Sequence, residues 1–252
     1  MDFTLELMGL LFLVAMVAGW VDAVAGGGGL ITIPALLLIG VPPAGAIATN
    51  KLQGSFGTFT AAVYFLRKGA VSLKGNRVPT LTVCVGSILG GWVLTRVDAT
   101  YLSYLVPILL ILTGIYFLFF AGDLDKSREP QISAKRFNLT AAPALGFYDG
   151  FFGPGTGSFM AASMVSLRGF PIRQATAHAK LLNFASNIAA LIYFIFFGQI
   201  VWLAGLAMIG GQVLGAYLGA RTALNAGAKL IRPLTIVVCF AMSCRALWSL
   251  FN

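Results

Sequence analysis

The stretch Gly19-Trp-Val-Asp22-Ala-Val-Ala-Gly26-Gly27-Gly28-Gly29 decides how this chain folds. Four consecutive glycines cannot hold a helix in lipid, because their exposed backbone polar groups would go unsatisfied. Apolar sequence flanks them on both sides, Leu5–Val21 before and Leu30–Ile39 after. The glycines therefore mark a break at membrane depth, where irregular backbone is tolerated only if it lines a cavity or is buried in protein.

The same pattern returns about half a chain later as Gly146-Phe-Tyr-Asp149-Gly-Phe-Phe-Gly153-Pro-Gly155-Thr156-Gly157-Ser158. Working outward, Ala46-Ile-Ala-Thr-Asn50-Lys51-Leu52 matches Ala175-Thr-Ala-His178-Ala-Lys180-Leu181. Tyr64-Phe65 and Gly69 match Tyr193-Phe194 and Gly198, and Gly86-Ser-Ile-Leu-Gly90 matches Gly211-Gln-Val-Leu-Gly215. Arg96 and Pro107 find counterparts in Arg221 and Pro233. Matches in one order across so many segments define a duplication, with an N-terminal repeat over residues 1–121, a polar cytoplasmic linker over 122–138, and a C-terminal repeat over 139–252.

Composition supplies the solvent. The chain has 252 residues, 58% hydrophobic and 10% charged, with a mean hydropathy of +0.89. Soluble domains carry about 25% charged residues. So few charges cannot form a water-soluble shell, and most of the chain must face lipid or other helices. The predicted fold is an all-α, polytopic transmembrane bundle of two repeats, each with five apolar segments. They lie at 5–22, 29–40, 44–66, 78–95 and 101–120, then at 138–152, 156–168, 174–197, 199–220 and 229–250. The second segment of each repeat is too short to cross a hydrocarbon core of about 30 Å at 1.5 Å per residue. It reads as a half-helix, or as one arm of a re-entrant hairpin with the segment before it. No Lys or Arg precedes Leu5–Val21, so this run is expected to be a retained helix and not a cleaved leader.

Charge gives the orientation. The formal net charge is +9, and most of the 17 Lys and Arg fall in short junctions: Arg67, Lys68, Lys74 and Arg77; Lys126, Arg128, Lys135 and Arg136; Arg168 and Arg173; Arg221, Lys229 and Arg232. Positive-inside bias explains this distribution better than nucleic-acid binding does, and it puts these junctions in the cytoplasm. The loop 67–77 is then inside while its repeat counterpart, the Gly198–Gln199 turn, is outside. The repeats are thus inverted copies, and the C-terminus is expected in the periplasm of a bacterial inner-membrane protein. Inverted repeats with broken helices are a recurring transporter architecture, with the substrate held near the midplane.

The candidate site follows from that geometry. Freed N–H groups at Gly27 and Gly28, and at Gly155, Thr156, Gly157 and Ser158, favour an anion. Lys51 and Lys180 hold equivalent places early in the third segment of each repeat, and a cation that deep costs at least about 2.5–3.5 kcal/mol unless it has a partner or a function. On helical spacing, Asn183 and Asn187 share a face with Lys180, and Gly54, Ser55 and Thr58 share one with Lys51, with Asn50 and Gln53 alongside. Asp22 and Asp149 precede the breaks as coupling or structural charges. His178, two residues before Lys180, is a candidate proton relay or a packed histidine. Gly86/Gly90 and Gly211/Gly215/Gly219 have the small-xxx-small spacing of close helix contacts, internal or in a homodimer.

With those motifs in view, the chain resembles the TauE/SafE family of anion exporters. The resemblance runs through Gly19–Gly29, Ala48-Thr49-Asn50-Lys51-Leu52-Gln53, Gly146–Ser158 and Thr176–Asn183. It implies a duplicated helical inner-membrane protein exporting a small anion such as sulfite or an organosulfonate. Two other readings compete with a transporter working by alternating access. One is a passive anion channel. The other is an intramembrane aspartyl protease built on Asp22 and Asp149, but neither lies in a Gly-x-Gly-Asp context and each travels with a lysine. No phosphate-binding GxxxxGK[ST] loop is present, so ATP hydrolysis within the chain is not expected, and the transporter reading is of a non-enzyme. No metal and no cofactor is expected, since Cys84, Cys239 and Cys244 form no ligand spacing. The partners expected are a small anion and the bilayer.

Overall fold

The computed structural model describes residues 3–120 and 129–226. The segment expected at 229–250, with Cys239, Cys244 and the C-terminus, lies outside the described residues, as do linker positions 121–128. Among the described residues the chain is helical throughout its regular structure. In order the helices are α1 Leu5–Ala25, α2 Gly29–Leu38, α3 Pro43–Arg67, α4 Arg77–Leu94, α5 Ala99–Phe120, α6 Ala134–Leu139, α7 Ala141–Phe151, α8 Thr156–Ser166, α9 Ile172–Phe197 and α10 Trp202–Ala226. The first nine apolar segments expected from sequence each fall on one of these helices, most to within three residues and the ninth ending six short of α10, and a short 3-10 turn at Lys74–Asn76 precedes α4.

Local chemistry sets the ends. The Thr4 hydroxyl caps α1 by accepting from the Leu7 N–H. At the other end Gly26 turns left-handed (φ 83°), and its N–H returns to the Asp22 carbonyl, which stops the helix. α3 opens on Pro43, and α9 follows Pro171 at its N-cap.

α1 and α2 fold back on each other as a helical hairpin. Gly28 rests against Asp22 and Ala18, while Leu30, Ile33 and Leu36 share a buried cluster with Leu11 and Ala15. α7 and α8 make the equivalent hairpin around Gly153–Gly155. The two tips meet inside the protein: a Cβ at Gly26 would strike the backbone of Gly157 and Ser158, and Gly29 lies against Pro154.

Each hairpin packs mainly on the other half. Gly211, Gly215 and Gly219 of α10 lie on the carbonyls of Phe12, Met16 and Trp20 of α1, so these two helices run parallel. Gly86 and Gly90 of α4 lie on those of Pro143 and Phe147 of α7, and Gly146 and Gly150 return the contact onto Val83 and Ser87. Small residues let backbones approach this closely. The glycine-spaced faces are therefore internal seams. α3 and α9 cross at the centre in opposite directions, Gly54 against Asn187 and the Phe59 ring tilted against Phe184 at 5.2 Å.

The arrangement is inside-out with respect to a soluble protein. Leu13, Val17, Phe59, Leu81, Val85, Trp92, Ile192, Phe196, Leu206 and Leu214 face outward, while Asn50, Lys51, Gln53, Lys180, Asn183 and Gln212 are buried. Among the described residues four helices are long and apolar enough to cross a membrane: Leu5–Ala25, Lys74–Leu94, Ile172–Phe197 and Trp202–Leu224. α3 has the length as well, at 25 residues, but its buried polar face lowers its hydropathy. This is a multi-pass membrane protein. The directions of α3, α4, α7, α9 and α10 gather Arg67, Lys68, Lys74, Arg77, Lys135, Arg136, Arg168, Arg173 and Arg221 at one end. At the opposite end Arg96 sits 5.4 Å from the Trp92 ring.

Candidate functional site

The site forms where the two hairpin tips meet the middle of α3 and α9. Asp22 stands on the last turn of α1, and its Oδ1 accepts the Gly28 N–H at 3.2 Å across the break. Its Oδ2 faces Lys180 Nζ of α9 at 3.1 Å. The second half repeats the arrangement with partners exchanged, Asp149 of α7 facing Lys51 of α3 at 2.8 Å. Both ammonium groups are sealed from solvent, at 0% and 1% side-chain exposure; that of Lys51 leans on Gly153 of the opposite half and that of Lys180 on Gly157 of its own. Burying two cations is tolerable because each has a carboxylate in contact.

Between the pairs lies a cavity lined by Asp22, Asp149, Asn50, Asn183, Asn187 and Gln212, with Thr58 and the tip glycines Gly26, Gly28, Gly153 and Gly157. Its free interior is about 20 Å³, room for roughly one water molecule. The N-termini of α2 and α8 point into this region. Two lysines and two aspartates cancel in formal charge, and the backbone N–H groups that open α2 and α8 stand at the same tips as the carbonyl ends of α1 and α7.

Several expected residues are thus brought together: Gly28, Asn50, Gly157 and Asn183 line the cavity, with Asp22 and Asp149 beside them. Others support it from behind. Asn50 Oδ1 accepts from the Thr32 hydroxyl at 2.6 Å and from Gln53 Nε2 at 2.7 Å, which fixes its amide. The Thr156 hydroxyl donates to the Gly153 carbonyl at 2.7 Å, and the Ser158 hydroxyl donates to the Ala25 carbonyl, tying tip to tip. Gly155 is the left-handed residue (φ 78°) that opens α8, and the Gly27 carbonyl accepts the Leu30 N–H.

His178 is not brought to the cavity. Its Nδ1 lies 2.9 Å from Asn76 Oδ1 beside the 67–77 loop, and its ring stacks on Phe170 at 4.7 Å. Asn76 donates its amide N–H to the Ser72 carbonyl, which leaves its oxygen for the imidazole N–H. At two residues from Lys180, His178 sits on a different face of α9, where it fastens a loop to a helix end.

Gln212 is the lining residue that sequence reasoning passed over. It is buried, its amide presses on Gly57, and its Oε1 has no hydrogen-bond partner among the described residues. The available signal was its repeat counterpart Ser87, since both follow the first glycine of the paired seams. Ser87 spends its hydroxyl on the Ser186 carbonyl at 2.6 Å, so only one half contributes this position to the cavity.

No three His, Cys, Asp or Glu cluster as a metal site among the described residues. A shared-proton carboxylate dyad, as a protease would need, is disfavoured because each aspartate faces its own lysine.

Known proteins resemble this chain over almost its whole length. The profile of the family described as Sulfite exporter TauE/SafE matches residues 11–246. A Haemophilus influenzae protein named "Probable membrane transporter protein" is 45% identical over 248 residues, covering 98% of this chain and 97% of its own. The Escherichia coli K12 protein named "Probable membrane transporter protein YfcA" is 46% identical over 242 residues, 96% of this chain and 90% of its own. A more distant relative, "Probable membrane transporter protein YunE" of Bacillus subtilis, is 25% identical over 264 residues, 95% of this chain and 97% of its own. No solved structure matches. With paired broken hairpins, buried lysines and a family match over almost every residue, the chain belongs to the TauE/SafE family of membrane transporters.

Proposed function

We propose that this transporter moves a small anion, such as sulfite or an organosulfonate, out across the bacterial inner membrane by alternating access between inverted repeats. The observation that carries the reading is the meeting of two glycine-broken tips from opposite halves, each with a helix N-terminus and a buried lysine at the same point. Broken helices at matching places in two repeats are the arrangement that transporters use to hold a charged substrate. Inversion is supported by helix direction: α3 and α9 cross antiparallel, while α1 and α10 lie parallel to α3, and α4 and α7 parallel to α9.

The size of the cavity favours a moving carrier over a static channel. About 20 Å³ will not admit a sulfonate. For an anion to reach Asn50, Lys51, Asn183 and Lys180, the hairpin tips must separate from the crossing helices. Opening on one side at a time is the simplest motion that lets it in and keeps the membrane sealed. The glycine seams would hold each hairpin to its partner as one body, so the movement falls between those bodies.

Everted membrane vesicles carrying the protein test this directly. Sulfite or sulfoacetate should accumulate when an ion gradient is imposed, and the accumulation should vanish in Lys51→Ala and in Lys180→Ala. Uptake that neither substitution changes, or none of any panel anion, would remove the proposed site.

A further inference from the structure

The two aspartates hold equivalent places in the repeats but not equivalent surroundings. Asp22 is saturated: one oxygen accepts the Gly28 N–H, the other faces Lys180, and the side chain is 13% exposed. Asp149 is 1% exposed, meets Lys51 through Oδ1 alone, and its Oδ2 has no hydrogen-bond partner among the described residues although the carboxylate lines the cavity. The charged groups around it are few. α3 supplies Lys51, α1 supplies Asp22, and α9 supplies Lys180, with Arg173 at its far end. α8 has no charged residue, α4 has only Arg77 at its start, and α6 carries Lys135 and Arg136 at the basic end. Among the described residues Lys51 is thus the one cation in contact with Asp149.

An anion that enters beside Lys51 competes with Asp149 for that ammonium. Once displaced, the carboxylate is buried without a cation and with an oxygen already unpartnered. A buried carboxylate without a counter-charge is relieved by taking a proton. Asp22 escapes this fate, because the Gly28 N–H still supports it.

We infer that Asp149 is the coupling-proton site of the transporter, taking up one proton on Oδ2 as the anion claims Lys51 and releasing it when the anion leaves. This rests on the anion-carrier reading above. The proton comes from water on the side where the cavity is open, the new O–H bond forms on Asp149, and on the far side it breaks as Lys51 closes on the carboxylate again. Anion and proton therefore travel together, so a dianion crosses with one net negative charge. Asp22 remains the fixed partner of Lys180.

Proteoliposomes with an internal pH dye, given sulfite and then sulfoacetate, test the assignment. In the wild type, anion entry should carry protons with it. Asp149→Asn should lose the proton movement to the level of empty vesicles while anion exchange persists at a reduced rate, and Asp149→Glu should restore it. Asp22→Asn should not separate the two fluxes. Proton movement that survives in Asp149→Asn, or its absence from wild type that does transport the anion, overturns the proposal. Failure of the wild type to move either anion would instead sink the carrier reading.

A second measurement needs no substrate. Lys51→Met imitates the displaced state, so its infrared spectrum at neutral pH should contain the C=O band of a protonated carboxyl. The band should be missing when Asp149→Asn is added. A band that stays in the double variant, or never forms, assigns the proton elsewhere.

Discussion

Lys51 of the first half closes on Asp149 of the second at 2.8 Å, with both side chains shut off from solvent. Removing one member of such a pair leaves an uncompensated buried charge, which costs about 3–5 kcal/mol, whereas removing both is far milder. Asp149→Leu should therefore lower the melting temperature in detergent sharply, and Lys51→Met added to it should recover most of the loss. Transport should not recover with it. A double variant as unstable as Asp149→Leu alone would mean that the pair contributes no coupling energy.

Gly26 is held at φ 83° with its Cα against the backbone of Gly157 and Ser158, so a methyl group there meets both strain and overlap. Gly26→Ala should cost more than about 1 kcal/mol and abolish transport. The control is Gly9→Ala in α1, whose added methyl group finds open space and which should fold and transport like the parent. Thermal unfolding followed by vesicle uptake reads both. Equal behaviour of the two variants would contradict the tip-to-tip packing.

His178 gives a contrast within a few residues of the site. Its hydrogen bond to Asn76 fastens the 67–77 loop to α9, at a distance from the cavity. His178→Gln should cost about 1 kcal/mol of stability and leave anion transport in place, while Lys180→Ala removes it. Parallel loss of uptake in the two variants at equal expression would return His178 to the site.

Orientation can be tested with sandwich fusions. A reporter active only in the cytoplasm should work when inserted after Lys74, and one active only in the periplasm should work after Gln199. These loops follow equivalent helices, so the same location for both would end the inverted-repeat reading.

Most of the architecture was legible because its determinants are local. Apolar runs give the helices, Gly26–Gly29 and Gly153–Gly157 give the breaks, and the repeat multiplies each inference by two. Pairing was legible only in part. Sequence put an aspartate and a lysine in each half, but the choice of Lys180 for Asp22 and Lys51 for Asp149 comes from the fold, which crosses each hairpin onto the opposite half. His178 misled for a helical reason: two positions along α9 rotate a side chain by about 200° at 3.6 residues per turn, so nearness to Lys180 in sequence carried it off the cavity face. Gln212 was hidden because its glycine neighbours read as packing, and nothing in a one-dimensional pattern says which seam residue looks into a cavity.

The exchange of partners between halves has a consequence for how the chain is made. When the ribosome has finished the first half, the glycine faces of α4 have no α7 to lie on, α1 has no α10, and Lys51 has no carboxylate. The half-made protein is a bilayer segment with an unmatched cation and open grooves. It completes itself only when α7 and α10 arrive to fill those grooves. Neither half can thus dispense with the other, and a truncation at the midpoint should yield no smaller transporter, only substrate for the membrane proteases.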